Sequence, residues 1–456
     1  PSWKAALMSA HAPNGAENLR PDDINRQRLA YDELLANQLA LGLVRSQRRS
    51  KPGRILMGTG ELKSSLLKEL PFTLTSSQEL VLKEIFEDLQ SDQRMLRLLQ
   101  GDVGSGKTII YLLSMLHAVE SGTQAVLMAP TEILARQHAE TIMPLCDAIN
   151  IRVELLTGRD KGIKREEKLS GFSQGETHIA IGTHALFQED VTFKNLGMVV
   201  IDEQHRFGVH QRMRISAKGP GTDVLVMTAT PIPRTLALTL YGDLDVSVID
   251  ELPKGRKEII TSHRNDNSRL KVLNFIKQTV ESGSQVYIVY PLIEESAKKD
   301  HKDLMDGYES LTRYFPDTQI GVLHGRMKAE NKDYEMKRFV EAKTKILVST
   351  TVVEVGVDVP NASVIIIESA ERFGLSQLHQ LRGRVGRGKK QSYCILMTKY
   401  DISKESKERI KAMVETSDGF KIANTDLKLR GPGNMMGTKQ SGLLELRFTN
   451  LAEIHR

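Results

Sequence analysis

The chain has 456 residues, 40% apolar and 26% charged, a length that allows two or three domains with their own cores and a composition that excludes large-scale disorder. Its longest apolar stretch, "TIIYLLSMLHAV" at 108–119, is well short of a bilayer span; Cys146 and Cys394 lie far apart in apolar surroundings, which argues against a disulfide framework or a zinc site and fits a reducing cytoplasm. A net charge of +6 and a pI near 9.0 favour a polyanionic partner without demanding one.

The opening residues, "PSWKAALMSAHAPNG", have neither the basic start and apolar core of a signal peptide nor an initiator Met, so the sequence reads as a fragment. Residues 1–70 read as a polar helical segment, with apolar positions in "PDDINRQRLAYDELLANQLALGLVRSQRRS" at helical spacing, expected to pack on the rest of the chain. Its basic end, "VRSQRRSKPGR" at 44–54, reads first as a solvated helix end and only second as a phosphate contact.

From about residue 95, β-rich runs alternate with helical stretches: "MLRLLQ", "QAVLMAP", "HIAIGTH", "LGMVVIDE" and "DVLVMTATP". This is the pattern of a parallel sheet with crossover helices. After the charged stretch "ELPKGRKEI" at 251–259 it restarts with "QVYIVYPLI", "IGVLHG", "KILVSTT", "ASVIIIES" and "SYCILM". Two tandem α/β domains are expected, at 71–255 and 256–400, because about ten strands with a linker-like break are hard to place in one doubly wound sheet. Residues 401–456 are expected to form an extension, a helical "KESKERIKAMVETSDGF" followed by an irregular, Gly- and Pro-containing "LKLRGPGNMMG".

Within the first domain, "LRLLQGDVGSGKTIIYLL" carries Gly101, Gly106, Lys107 and Thr108 in G-x-x-x-x-G-K-T order between a strand and a helix. Glycines let backbone N–H groups turn toward phosphates, the helix N-terminus adds positive potential, Lys107 reaches the outer phosphates and the Thr108 hydroxyl can bind Mg²⁺. A chance Gly-rich turn would not explain those flanks. About a hundred residues on, "LGMVVIDEQH" puts Asp202 and Glu203 at the end of a strand, on the edge that faces ligands in a parallel sheet. Asp202 beside Thr108 suits a magnesium ion, and Glu203 can position and deprotonate an attacking water. The alternative, a metal cluster on His205 and His210, matches no zinc spacing and has no Cys or third His nearby. A solvated surface strand does not fit either, since "GMVVI" reads as buried on both faces.

The second domain offers cations. "QLHQLRGRVGRG" at 377–388 supplies Arg382, Arg384 and Arg387 between glycines. Two of them facing the γ-phosphate would act as arginine fingers; a basic DNA-contacting loop or a surface turn is the alternative, and the upstream P-loop and acid pair favour the fingers.

In order, these motifs resemble those of superfamily 2 helicases: "LTSSQ" with Gln78, "GDVGSGKT", "APTEILARQ", "GTHALF", "DEQH", "TATP", "STTVVEVGVD" and "QLRGRVGR". Together "DEQHRFGVHQR", "MTATPIPRTLA", "DELPKGR", "LIEES", "HGRMK" and "QLHQLRGRVGRG" resemble the RecG family of branched-DNA translocases, and "LKLRGPGNMMGTKQSG" at 427–442 resembles the translocation hook that this family shares with the Mfd translocases. The family's N-terminal wedge, an oligonucleotide-binding-type barrel, has no counterpart in the sequence.

The resemblance implies two tandem RecA-like P-loop domains, with parallel sheets covered by helices on both faces, a helical N-terminal segment and a hook-like C-terminal extension. It implies an ATP-dependent DNA helicase or double-strand DNA translocase on stalled forks and Holliday junctions, with ATP and Mg²⁺ as cofactors. The nucleotide site it implies holds Gln78, Gly101, Asp102, Val103, Gly104, Ser105, Gly106, Lys107, Thr108, Gln204, His205, Gly356, Asp358 and Gln380, with Lys107, Asp202, Glu203, Arg384 and Arg387 catalytic and Thr108 and Asp202 on the metal. Gln204 and His205 are expected to bridge the domains and report nucleotide state to Thr228 and Thr230. Arg136, His184, Arg326, Lys328, Thr350 and Thr351 are expected at DNA phosphates, and Arg430, Gly431 and Gly433 in the hook. A single-strand DNA-binding protein as second partner, a monomer, no membrane and a bacterial cytoplasmic, nucleoid-associated location complete the expectation. An Mfd-type motor, an RNA helicase of the related box families and a nucleotide-gated binding switch remain alternatives.

Overall fold

Two parallel sheets organise the chain in the computed structural model, which describes residues 1–456 except 21, 50–51, 203–218, 220, 229–243, 254–256, 292–296, 351–357, 389 and 431–456. The helical front comprises α1 (Trp3–His11), α2 (Ile24–Arg49) and α3 (Glu61–Glu69). Its basic end is partly engaged: Arg45 pairs with Asp245, and Arg54 donates to the Asn195 side chain and, at 3.5 Å, to Leu196 O.

The first sheet follows α4 (Ser76–Leu89): β1 (Leu96–Gly101), α5 (Lys107–Glu120), β2 (Gln124–Met128), α6 (Glu132–Asp147), β3 (Val153–Leu156), α7 (Ile163–Gln174), β4 (Ile179–Gly182), β5 (Leu196–Ile201), β6 (Asp223–Thr228) and β7 (Asp245–Ile249). Its strand order is β3-β4-β2-β5-β6-β1-β7. Pleating sends neighbours in β1 to opposite faces, so Leu99 joins the core beneath α3, α4 and α5 while Leu98 joins the one with Val126, Phe172 and Val199. Both faces are covered, which is why β2 and β5 are buried at every position. Each fully buried Leu or Ile stabilises by about 1.5–3 kcal/mol relative to exposure, and these two cores dominate the domain's stability.

The second sheet is built from β8 (Ile260–Asn265), α8 (Arg269–Glu281), β9 (Gln285–Val289), α9 (Ala297–Tyr314), β10 (Ile320–Leu323), α10 (Ala329–Val340), β11 (Ile346–Ser349), β12 (Ala362–Ile367), α11 (Leu375–Arg382) and β13 (Tyr393–Thr398), in the order β10-β11-β9-β12-β13-β8. Here too alternate residues divide between two cores, Tyr287 and Ile365 on one face, Ile288 and Ile366 on the other. The stretch at 251–259 lies between β7 and β8, where the alternation pauses.

Three strands, β3, β7 and β8, lie beyond those legible in the pattern, all at sheet edges. Edge position explains them: β8, "ITSHRN", has no buried residue and needs no apolar run. Past residue 400, α12 (Lys404–Glu415) and α13 (Gly419–Arg430) do not stand apart, since Ile410, Met413 and Ile422 belong to the second domain's core. Among the described residues no helix is long and apolar enough to cross a membrane.

Candidate nucleotide site

The C-terminal ends of β1, β6 and β5 lie side by side, and they carry the P-loop, Thr228 and Asp202. Ligands of parallel sheets bind beyond such ends. In the loop after β1, Gly104 and Gly106 have φ of +76° and +85°, the left-handed region that glycine enters without penalty. A Cβ on Gly106 would collide with the Gln78 amide. Gln78 is buried beneath the loop, its Oε1 accepting from Thr75 N at 2.9 Å to close the cap of α4 and its Nε2 donating to Ser105 O at 2.8 Å. Lys107 folds back, donating from Nζ to Gly101 O at 2.6 Å and Asp102 O at 2.9 Å. Glycine conformations, an ammonium and a helix N-terminus together form a cradle whose donors suit phosphate oxygens.

Asp202 follows β5, its N–H bonded to Met128 O at 2.9 Å. His138 Nε2, from α6, lies 2.9 Å from Asp202 Oδ2, and His138 Nδ1 lies 2.9 Å from the Tyr111 hydroxyl. Burial first, and the Asp202 charge second, push the ionisation of Tyr111 far up, so it remains a hydroxyl. Asp202 therefore ends a hydrogen-bonded chain that runs through His138 to Tyr111, three residues along α5 from Thr108, and the oxygen donors of Thr108 and Asp202, the expected metal ligands, fit Mg²⁺. Glu203, Gln204, His205 and His210 lie outside the described residues, as do Thr230, Thr351 and Gly356.

The second domain meets the P-loop directly. His379, on α11, places Nε2 at 2.6 Å from Asp102 Oδ1, and Gly419 N donates to Asp102 Oδ2 at 3.2 Å. Burial would raise the Asp102 carboxyl, but the His379 hydrogen bond and charge, with Val103 N and Lys107, hold it below the ordinary range. A Cβ on Gly383 would strike the Val103 side chain, so a glycine is needed where the domains touch.

The three arginines have different surroundings. Arg382 is buried and donates to Met413 O at 3.0 Å, Thr416 O at 2.8 Å and Ser417 O at 3.0 Å, with His379 Nδ1 at 2.9 Å, so it ties α11 to the end of α12. Arg384 is buried near Tyr287, and Arg387 lies 3.5 Å from Asp358 Oδ1 and donates to Gly383 O at 3.3 Å. Asp358 N in turn donates to Gln137 Oε1 of the first domain at 3.2 Å, and Gln380 is half-buried on α11.

Of the expected DNA contacts, Arg136, His184, Arg326 and Lys328 are exposed, whereas Thr350 is buried with a hydroxyl that has no hydrogen-bond partner among the described residues. Arg159, which the sequence reading did not single out, pairs with Glu132 at 3.0 Å in its own domain and with Asp333 across the cleft. Arg430 ends α13, and Gly431 and Gly433 lie outside the described residues. Also absent from that reading were Tyr111, His138 and the His379 contact, which depend on long-range packing.

Family comparisons agree with this arrangement. Residues 75–239 match the DEAD/DEAH box helicase model, 252–389 the helicase conserved C-terminal domain, and 416–455 a model described as ATP-dependent DNA helicase RecG, domain 3, C-terminal. The chain is 50% identical over 452 residues to the ATP-dependent DNA helicase RecG of a Synechocystis strain, covering 99% of this chain and 54% of that protein. Against the RecG of Bacillus subtilis it is 47% identical over 458 residues, covering 100% of this chain and 67% of the relative. A solved structure of RecG bound to a three-way DNA junction superposes with a TM-score of 0.82 at 45% identity, covering 94% of this chain and 56% of that one. The chain thus spans between about half and two thirds of the length of these relatives, and it belongs to the RecG family of ATP-dependent DNA helicases.

Proposed function

We propose that the chain is the ATP-driven motor of a double-strand DNA translocase that acts on branched DNA, at stalled forks and Holliday junctions, in recombination and repair. The observation that carries the reading is the contact of His379 with Asp102 at 2.6 Å, which puts the arginine-bearing segment of one domain against the phosphate cradle of the other. Lys107 binds the outer phosphates from one side, and Arg384 and Arg387 stabilise the charge that develops during transfer from the other. Gln78 and Gln380 border the nucleotide, and Glu203 takes the proton of the attacking water. Magnesium, held by Thr108 and Asp202, neutralises phosphate charge when it is bound with ATP. Gln204 and His205 report nucleotide state to Thr228 and Thr230, and closing and reopening of the cleft moves the domains along the duplex.

DNA lies across both domains and is held through its phosphates by Arg136, His184, Arg326, Lys328 and Thr351, while Arg430, Gly431 and Gly433 belong to the hook that couples closure to movement. The same reading includes a monomeric motor, a single-strand DNA-binding protein as a partner and a nucleoid location in a bacterial cytoplasm. ATP turnover measured with and without duplex, branched DNA and RNA tests it. Strong stimulation by DNA, lost in Lys107→Ala and Glu203→Gln, is expected; turnover unchanged in both variants refutes the site, and stimulation by RNA alone refutes the substrate.

A further inference from the structure

Tyr111 and His138 belong to no motif, yet both are drawn into the nucleotide site. Tyr111 lies three residues after Thr108, one turn along α5 and on the same face, and it is 1% exposed. A phenolic hydroxyl buried this deeply needs a partner, and it finds His138 Nδ1 at 2.9 Å. His138 reaches from α6, itself largely buried, and its Nε2 meets Asp202 Oδ2 at 2.9 Å. One chain of hydrogen bonds thus links Tyr111 on α5 with the end of β5, through two residues that are neither P-loop nor acid pair.

The directions of those bonds follow from what each group can give. An ionised carboxylate only accepts, so His138 Nε2 carries the hydrogen given to Asp202. Its Nδ1 is then the acceptor for the Tyr111 O–H, which anchors the imidazole to α5. The same bonds hold the Asp202 carboxylate in one orientation. The carboxylate that would hold a cation is therefore fixed against α5, the helix that carries Thr108, by atoms outside the cation's coordination sphere.

We infer that His138 and Tyr111 are positioning residues for the metal–nucleotide complex, setting the geometry of Asp202 against the helix that carries Thr108 without touching metal or substrate. This rests on the nucleotide-site reading above. It separates from a packing role because a core histidine and tyrosine would affect stability, whereas positioning residues affect metal affinity at constant stability. It also places Asp202 one hydrogen bond from α6, whose Gln137 accepts from Asp358 N of the second domain at 3.2 Å.

The test uses the whole chain, with Mn²⁺ as the paramagnetic probe. Mn²⁺ affinity is measured by electron paramagnetic resonance in saturating ADP, ADP affinity is measured separately in EDTA, and thermal melts are run on each variant. Tyr111→Phe keeps the ring and removes only the hydroxyl, and His138→Ala removes the link to Asp202. Both should weaken Mn²⁺ about 10–100-fold while ADP affinity in EDTA stays at the parent value. His138→Gln, which can still donate to Asp202, should recover part of the loss. Parent Mn²⁺ affinity in both Tyr111→Phe and His138→Ala, or equal loss of metal and metal-free nucleotide binding, overturns the inference while leaving the site standing. A parent chain that binds no ADP–Mn²⁺ overturns the nucleotide-site reading and this inference with it.

Discussion

Replacing Arg382 by Met separates two roles that look identical in the sequence. The side chain is 2% exposed, and its guanidinium donates to three main-chain carbonyls, of Met413, Thr416 and Ser417, at 2.8–3.0 Å. A buried acceptor stripped of its donor costs about 1–3 kcal/mol. Thr416 and Ser417 are half-buried, so water replaces part of what they lose, and the sum falls near the low end, about 3 kcal/mol. For a domain of this size that is a fall in Tm of roughly 6–12 °C. The segment from 413 to 419 should loosen first, because Arg382 holds it to α11. Calorimetry of Arg382→Met, with limited proteolysis to locate early cleavage, measures both effects. Parent Tm together with abolished ATP turnover would refute the argument and make Arg382 a phosphate-facing cation like its neighbours.

Arg384→Ala and Arg387→Ala should lower kcat by about 10³–10⁵ if each contributes as an arginine finger does, with ATP affinity much less affected; turnover within a factor of a few of the parent would remove the finger role. Asp223, at the start of β6, is fully buried, accepts from Met95 N at 2.7 Å, and has its carboxyl pushed up to about 8 by burial. The folded chain then keeps a proton that the unfolded chain releases above about pH 4, so stability falls as pH rises from about 4 to about 8, by up to about 1.4 kcal/mol per unit. Asp223→Asn keeps the acceptor oxygen and should flatten that slope in thermal melts, raising Tm near the upper end; an unchanged slope would acquit Asp223.

What local sequence carries and what it does not is visible in particular residues. The P-loop is legible because its glycines, lysine and threonine are contiguous and their chemistry depends on local backbone. The buried strands are legible because both faces are covered, so β5 is apolar throughout. The edge strand β8 pairs with β13 and has no buried residue, three of its six being exposed, so it carries no apolar signal. His379 and Asp102 stand 277 residues apart, and no periodicity announces that they meet. Nor can the spacing of Arg382, Arg384 and Arg387 show that the first spends its donors on α12 and the loop after it. His138 follows directly after the "APTEILARQ" motif, and only the approach of α6 to the end of β5 reveals its partner.

Movement along DNA is the central claim, and displacement of a labelled third strand from a triplex reads movement without requiring strand separation. The chain should displace it with ATP and Mg²⁺, fail with ADP, and fail as Lys107→Ala in the presence of ATP. ATP turnover that DNA stimulates, with the third strand left in place, would contradict the account and leave a nucleotide-gated DNA-binding switch in its stead.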